Sequence, residues 1–188
     1  MSRHTAPDEL LLDYAAGALA EGPALAVALH VALDPGARRT VARLGALGGA
    51  LIEDEEAAGF DEADLQRALA RLDEVAVEPR PAPPVARPGF EWAPAALLRH
   101  IGSDPRWRRV FGGFEEIRLP LPGDSHRVSL LRLEPGRGLP MHRHVGEEYT
   151  VVLQGGYTDA TGNYGVGDFA VGPGPDEHEP IADPGEPC

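Results

Sequence analysis

The chain reads as an α+β protein in two parts, a small helical N-terminal bundle followed by an all-β C-terminal domain. Three observations predict this. Residues 8–75 are rich in Ala, Leu, Glu and Arg, which are good helix formers. Residues 112–175 are rich in Gly, Val, Tyr and Pro, with alternating stretches and frequent turn signals, as strands require. Between them EPRPAPPVARPG, residues 78–89, carries five prolines, which remove backbone donors and favour extended chain. That segment is either a semi-rigid spacer or an ordered loop wrapped on one part. The expected division is therefore a helical domain over 1–77, a spacer over 78–89 and a second domain over 90–188.

Four helices are expected in the first part. Residues 8–19 place Leu11, Tyr14, Ala15 and Ala18 at helical spacing, with acids in the first turn and Gly22 beyond the end. A second helix is expected over about 23–33. Asp34 then stands as an N-cap with Pro35 at the first helical position, opening a third helix to about Ala58. Its stripe is Val41, Leu44, Leu47 and Leu51, and Gly45, Gly48 and Gly49 either weaken it or mark close packing. Asp61 caps a fourth helix in which Leu65, Ala68, Leu69 and Leu72 align. Short amphipathic helices cannot each bury a face alone, so they must pack on one another or on a partner.

The second part opens with a short helix after Pro94. Strands are expected in GFEEIRLPL, RVSLLRLE, EYTVVLQGGYTD and GDFAVGP, with Pro120, Pro122, Pro135 and Pro140 at their ends, where a ladder tolerates them. Gly136, Gly155 and Gly167 read as turn positions needing positive φ.

Bulk properties exclude several classes. No run of about 18 apolar residues occurs, so no membrane span is expected, and the N-terminus lacks the basic-then-apolar order of a secretory signal. A cytoplasmic protein is the expectation. The single Cys188 has no partner in the chain, so a metal site must use imidazole and carboxylate. The net charge of -13 repels nucleic acid, so no direct DNA binding is expected, and it would steer association with a basic protein.

The strongest chemical signal is GRGLPMHRHVGEEYTVVLQG. His142 and His144 are two apart, so on a strand both side chains leave one face. Glu148 follows beyond a Val145–Gly146 turn, and His178 comes after a strand ending in GPGP. Three imidazoles and a carboxylate suit zinc, iron, manganese, nickel or cobalt.

These residues resemble the cupin motifs closely. Gly136, His142, His144, Glu148 and Gly155 meet every spacing of the first motif. Gly167, Pro173 and His178 match the second, while Pro175 stands where the family has Gly and Ala182 where it has Asn. The resemblance implies a single-domain cupin β-barrel with one divalent metal, zinc first, on His142, His144, Glu148 and His178. A cupin usually continues for one or two strands after the last histidine, yet this sequence stops at Cys188. The expectation is a truncated barrel, or one closed by a partner or swapped strand, with a homodimer through that edge.

The helical part adds His4, LLLDYAAGAL over 10–19 and HVALDPGARR over 30–39. Followed by a small cupin, these resemble the ChrR-type cupin anti-sigma factors, in which a helical domain keeps an extracytoplasmic-function sigma factor from RNA polymerase. The family's helical zinc site uses a histidine near the start and then His-x3-Cys-x2-Cys. Here His4 and His30 hold the first two positions, but Asp34 and Ala37 replace the cysteines. Two readings stand: a degenerate second metal site on His4, His30 and Asp34, or Asp34 as a helix cap beside two ordinary histidines.

The resemblance thus implies a negative regulator of transcription whose cupin senses stress, of an oxidative kind. The alternatives are a metal-dependent cupin enzyme, such as a dioxygenase or isomerase, or a metal-stabilised interaction module. No catalytic residue is assigned: Glu147, Tyr149 and His126 offer no convincing base, and the short interval between the motifs argues for a cramped barrel. Trp92 and Trp107 are expected to pack at the domain junction. The acidic run over 53–65 is either a solvated face or a surface for a basic sigma factor, and Arg106, Arg108 and Arg109 balance nearby acids.

Overall fold

The structure is a computed structural model and describes residues 3–74, 85, 87–142, 146–172 and 178–188. Five helices come first: α1 (Asp8–Ala15), α2 (Glu21–Leu33), α3 (Pro35–Glu53), α4 (Glu62–Glu74) and the short α5 (Ala95–Leu98). The strands are β1 (Arg108–Phe111), β2 (Phe114–Leu119), β3 (Val128–Leu133), β4 (Tyr149–Val151), β5 (Gly156–Asp159), β6 (Gly162–Gly165), β7 (Phe169–Val171) and β8 (Ile181–Ala182).

Local signals set the helix starts. Asp34 caps α3 by accepting from the Ala37 N–H at 2.7 Å, with Pro35 at the first helical position. Asp61 and Asp64 exchange bonds at the start of α4, with the Asp64 N–H 2.8 Å from Asp61 Oδ1 and the Asp61 N–H 3.1 Å from Asp64 Oδ2. Two helices end sooner than the periodicity predicts. α1 stops at Ala15 ahead of Gly17 at φ 69°, and α3 stops at Glu53. A Cβ on Gly45, Gly48 or Gly49 would meet nothing within 4 Å among the described residues, so these glycines mark no close packing there.

α2 is apolar on all sides because it is a wall of two cores. Leu25 and Leu29, one turn apart, pack with Phe90, Leu97, Leu98, Ile117, Leu119 and Leu130. Val27 points into a second cluster with Ala6, Leu10, Leu11, Ala37 and Phe169. Helical and cupin residues therefore share their cores across the proposed boundary, most of whose spacer lies outside the described residues. Trp107 belongs to the junction as expected, stacked on Phe90 at 6.2 Å and covered by the Arg132 guanidinium at 4.4 Å.

The strands form three small antiparallel sheets, ordered β1-β2-β3, β4-β7 and β6-β5-β8. β1 was not anticipated, because its arginines read as surface charge. They pair across the ladder: Arg108 lies opposite Glu116 and Arg109 opposite Glu115. The stretch EYTVVLQGGYTD is two strands rather than one, broken at Gly155. There φ is 60°, and a Cβ would stand 2.6 Å from the Pro187 carbonyl. Gly136 and Gly167 also take positive φ, at 68° and 89°.

The open edge expected after His178 is paired within the chain. Residues 178–182 run antiparallel to 136–142, with the Leu139 N–H donating to Pro180 O at 3.0 Å and the Gly136 N–H to Ala182 O at 3.1 Å. Beyond them, Leu133 and Cys188 exchange backbone bonds of 2.8 and 3.0 Å. The last residues thus supply the pairing that the sequence left to a partner or a swapped strand.

Glu116 is buried in the first sheet and ringed by cations. Arg127 Nη2 and Ser129 Oγ each donate to it at 2.8 Å, Arg108 also bonds it, and Arg118 lies 3.5 Å away. Burial pushes its carboxyl up, but these donors and charges outweigh burial and hold it at about 2.

Candidate functional site

Two features could carry function: the histidine ribbon of the cupin half and a bare apolar face on the helical half.

The ribbon 136–142/178–182 sets His142 directly opposite His178. The two exchange both backbone bonds, at 3.1 and 3.0 Å, so their side chains leave the same face. The rings lie 4.5 Å apart. His142 Nδ1 is 2.9 Å from Pro140 O, and His178 Nδ1 is 3.4 Å from Asp159 Oδ2. A carbonyl and a carboxylate accept, so each ring carries its hydrogen on Nδ1 and its lone pair on Nε2. His178 Nε2 faces Glu148 Oε2 at 3.8 Å. Glu148 reaches this position because Gly172 leaves room for it and donates its N–H to Glu148 O at 2.7 Å.

His142 and Glu148 thus each lie beside His178, while His144 lies outside the described residues. Among the described residues no group of three or more His, Cys, Asp or Glu side chains is drawn close enough to hold an ion. The donor chemistry nevertheless fits a divalent metal. Two imidazoles with their Nδ1 atoms tied and one carboxylate form a ligand set, and donors on a common ion stand only a little over about 3 Å apart. Sequence reasoning missed Asp159. It is held ionised because, although burial raises its carboxyl, the Thr161 hydroxyl and N–H, His178 and the Gly162 N–H lower it further. The only signal for it was the DATG turn at the tip of the β5–β6 hairpin.

A cavity of about 1140 Å³ lies beside these residues, lined by His142, Glu148, His178, Leu29, Val151 and Tyr157 among others. Within it, Glu147 and Tyr149 satisfy each other through a 2.9 Å bond, and His126 is paired with Asp124 at 2.5 Å. Burial pushes the Cys188 thiol up to about 11, so it is a packed thiol beside the cavity rather than a thiolate ligand.

The three residues of the second candidate metal site have other surroundings. His30 is fully buried between Gly167 O and the Ala6 N–H. Asp34 caps α3, and the His4 ring packs against Tyr164 with centroids 4.5 Å apart.

The helical half also leaves apolar surface uncovered. On α3, Leu47, Leu51 and Ile52 are 57%, 63% and 75% exposed, and on α4, Leu65, Leu69 and Leu72 are bare in the same way. The α3 stripe begins on the core, where Val41 and Leu44 pack against the Leu11 cluster, but beyond them Leu47 and Leu51 and the stripe of α4 meet no core among the described residues. The acids of the 53–65 run lie between and beside them, all exposed except the half-buried Asp64.

No described helix is long and apolar enough to cross a membrane. The ChrR Cupin-like domain profile matches residues 102–188. The Anti-sigma-E factor ChrR of Cereibacter sphaeroides is 37% identical over 189 residues, covering 99% of this chain and 86% of that protein. A chain in the crystal structure of Rhodobacter sphaeroides SigE in complex with the anti-sigma ChrR superposes with a TM-score of 0.80. It is 36% identical, and the match covers 100% of this chain and 96% of that one.

Proposed function

Because this chain belongs to the ChrR family of anti-sigma factors, we propose that it binds an extracytoplasmic-function sigma factor and keeps it from RNA polymerase. The observation that carries this is the bare apolar face of α3 and α4. Amphipathic helices with no core to cover are stable when a partner covers them, and the flanking acids suit the basic surfaces of a DNA-binding protein. The relative's name and the complex of its family member with SigE support the same partner class.

The finer reading divides the work along the chain. The helical part over 1–77 grips the sigma factor in the cytoplasm, and the cupin part over 90–188 is a small barrel whose sides are the three sheets. It would hold one divalent ion, zinc before iron, manganese, nickel or cobalt, on His142, His144, Glu148 and His178. The bound ion would supply a charged crosslink between the ribbon and β4. His142 and His178 present imidazole lone pairs, Asp159 and the Pro140 carbonyl orient them, and Glu148 contributes the carboxylate. Loss or oxidation of such a crosslink would loosen β4 and β7, against which α2 and Leu11 pack, and so release the sigma factor.

The test is co-purification of the full chain from its host, with the captured protein identified by mass spectrometry. The native chain should retain a sigma factor, and the double variant Leu65→Asp/Leu69→Asp should lose it while keeping its helical circular dichroism. Recovery of no sigma factor by the native chain, or equal recovery by the variant, would sink the proposal.

A further inference from the structure

The donors around His30 do not fit the zinc ion that the family's helical domain carries. His30 Nδ1 lies 2.7 Å from the Gly167 carbonyl, which can only accept, so the hydrogen sits on Nδ1. The lone pair is then on Nε2, and the Ala6 N–H points at it from 3.2 Å, with Thr5 Oγ1 also at 3.2 Å. That lone pair is the one a metal would use. The two positions where the family has cysteines are bonded to each other instead, Asp34 Oδ1 accepting from the Ala37 N–H at 2.7 Å. Ala37 is 2% exposed and packs with Leu11, Val27 and Phe169. Where a thiolate would stand there is a methyl group in an apolar cluster.

We propose that His30 is a metal-free joint that fastens the N-terminal strap and α2 to the cupin half. Three consecutive cupin residues complete the fastening. Gly167 accepts from His30. Asp168 accepts the Arg3 and His4 N–H groups on Oδ1, at 2.5 and 3.0 Å, and the Gly165 N–H on Oδ2 at 2.8 Å. Phe169 donates its N–H to His4 O at 3.0 Å and puts its ring edge-on to His30, centroids 5.5 Å apart. Residues 3–6 thereby lie along the start of β7. A buried imidazole bonded at both nitrogens resists removal, because either partner left alone is a buried unsatisfied group. What zinc ligation does inside the helical domain of the family, this joint does between the two halves. The proposal stands whether or not the chain binds a sigma factor.

The experiment uses the full chain, with zinc as the probe. Zinc equivalents are titrated, and amide hydrogen exchange is followed, in the native protein, His30→Ala and His30→Asn, whose side-chain amide can still donate to Gly167. All three should bind the same number of zinc ions. The Ala6, His4 and Phe169 amides should exchange about tenfold or more faster in His30→Ala, with protection partly restored in His30→Asn. Loss of one zinc equivalent in either variant would overturn the proposal, as would unchanged protection of the Ala6 amide. If His30→Ala fails to fold, the comparison of the native protein with His30→Asn decides on the same two readouts.

Discussion

Gly172 lies so close to Glu148 that a Cβ on the glycine would stand 2.8 Å from the Glu148 Cβ and 3.0 Å from its Oε2. The carboxylate of the cupin site is placed by the absence of a side chain opposite it. Gly172→Ala should displace Glu148 and weaken divalent-metal binding by roughly tenfold or more, with the fold intact. Calorimetric zinc titration of the two proteins checks this, and equal affinities would show that Glu148 has room to move.

Asp159 should behave as an orienting group for His178. Asp159→Asn removes the charge beside His178 Nδ1, 3.4 Å away, and should lower metal affinity by about 10- to 100-fold without changing ligand number. X-ray absorption on the zinc-loaded variant separates this from loss of a ligand, which would appear as a changed coordination shell.

The helices and their caps were legible in the sequence because their causes are local: the stripes and Asp34–Pro35 lie within a few residues of the structure they specify. The candidate metal ligands stand out in the sequence as a motif, but their geometry does not. The ribbon pairing His142 with His178 joins distant segments, and Asp159 reaches His178 from another hairpin. β1 was hidden because RRVF has alternating strand character only once Glu115 and Glu116 are known to lie opposite it. The role of His30 was invisible for the same reason, since its acceptor Gly167 is 137 residues away.

Acid should destabilise the fold through three carboxylates with lowered folded-state values. Glu116 is held at about 2 against its burial by Arg127, Ser129, Arg108 and Arg118. Asp124 is held at about 2 by the His126 and Gly22 N–H groups and the His126 ring. Asp168 is lowered by the Gly165, His4 and Arg3 N–H groups despite its burial. Each is depressed on folding, so its contribution is full above the ordinary carboxylate range and is lost as pH falls through the lowered value, about 2 for Glu116 and Asp124. Urea melts across this window should show stability falling with acid, and Glu116→Gln should be less stable at pH 7 with a shallower slope. Parallel pH curves for the two proteins would refute the assignment.

Leu11 and Leu69 should differ sharply in their response to truncation. Leu11 is 1% exposed in the α1–α2–β7 cluster, so Leu11→Ala should cost about 2–5 kcal/mol in denaturant unfolding. Leu69 is 46% exposed, so Leu69→Ala should change stability by no more than about 0.5 kcal/mol. A large loss at Leu69 in the isolated chain would mean that α4 is already covered.

α2 belongs to two cores at once, and this limits how the chain can be cut or shuffled. Ending it in the proline-rich segment would strip Phe90, Leu97 and Leu98 from Leu25 and Leu29, leaving that seam of the helix in water. Exchanging the cupin for an unrelated sensor would require recreating the same seam. The proposed grip on a sigma factor would therefore not be a portable inhibitor: gene fusions that respect only the apparent linker would inherit half a core.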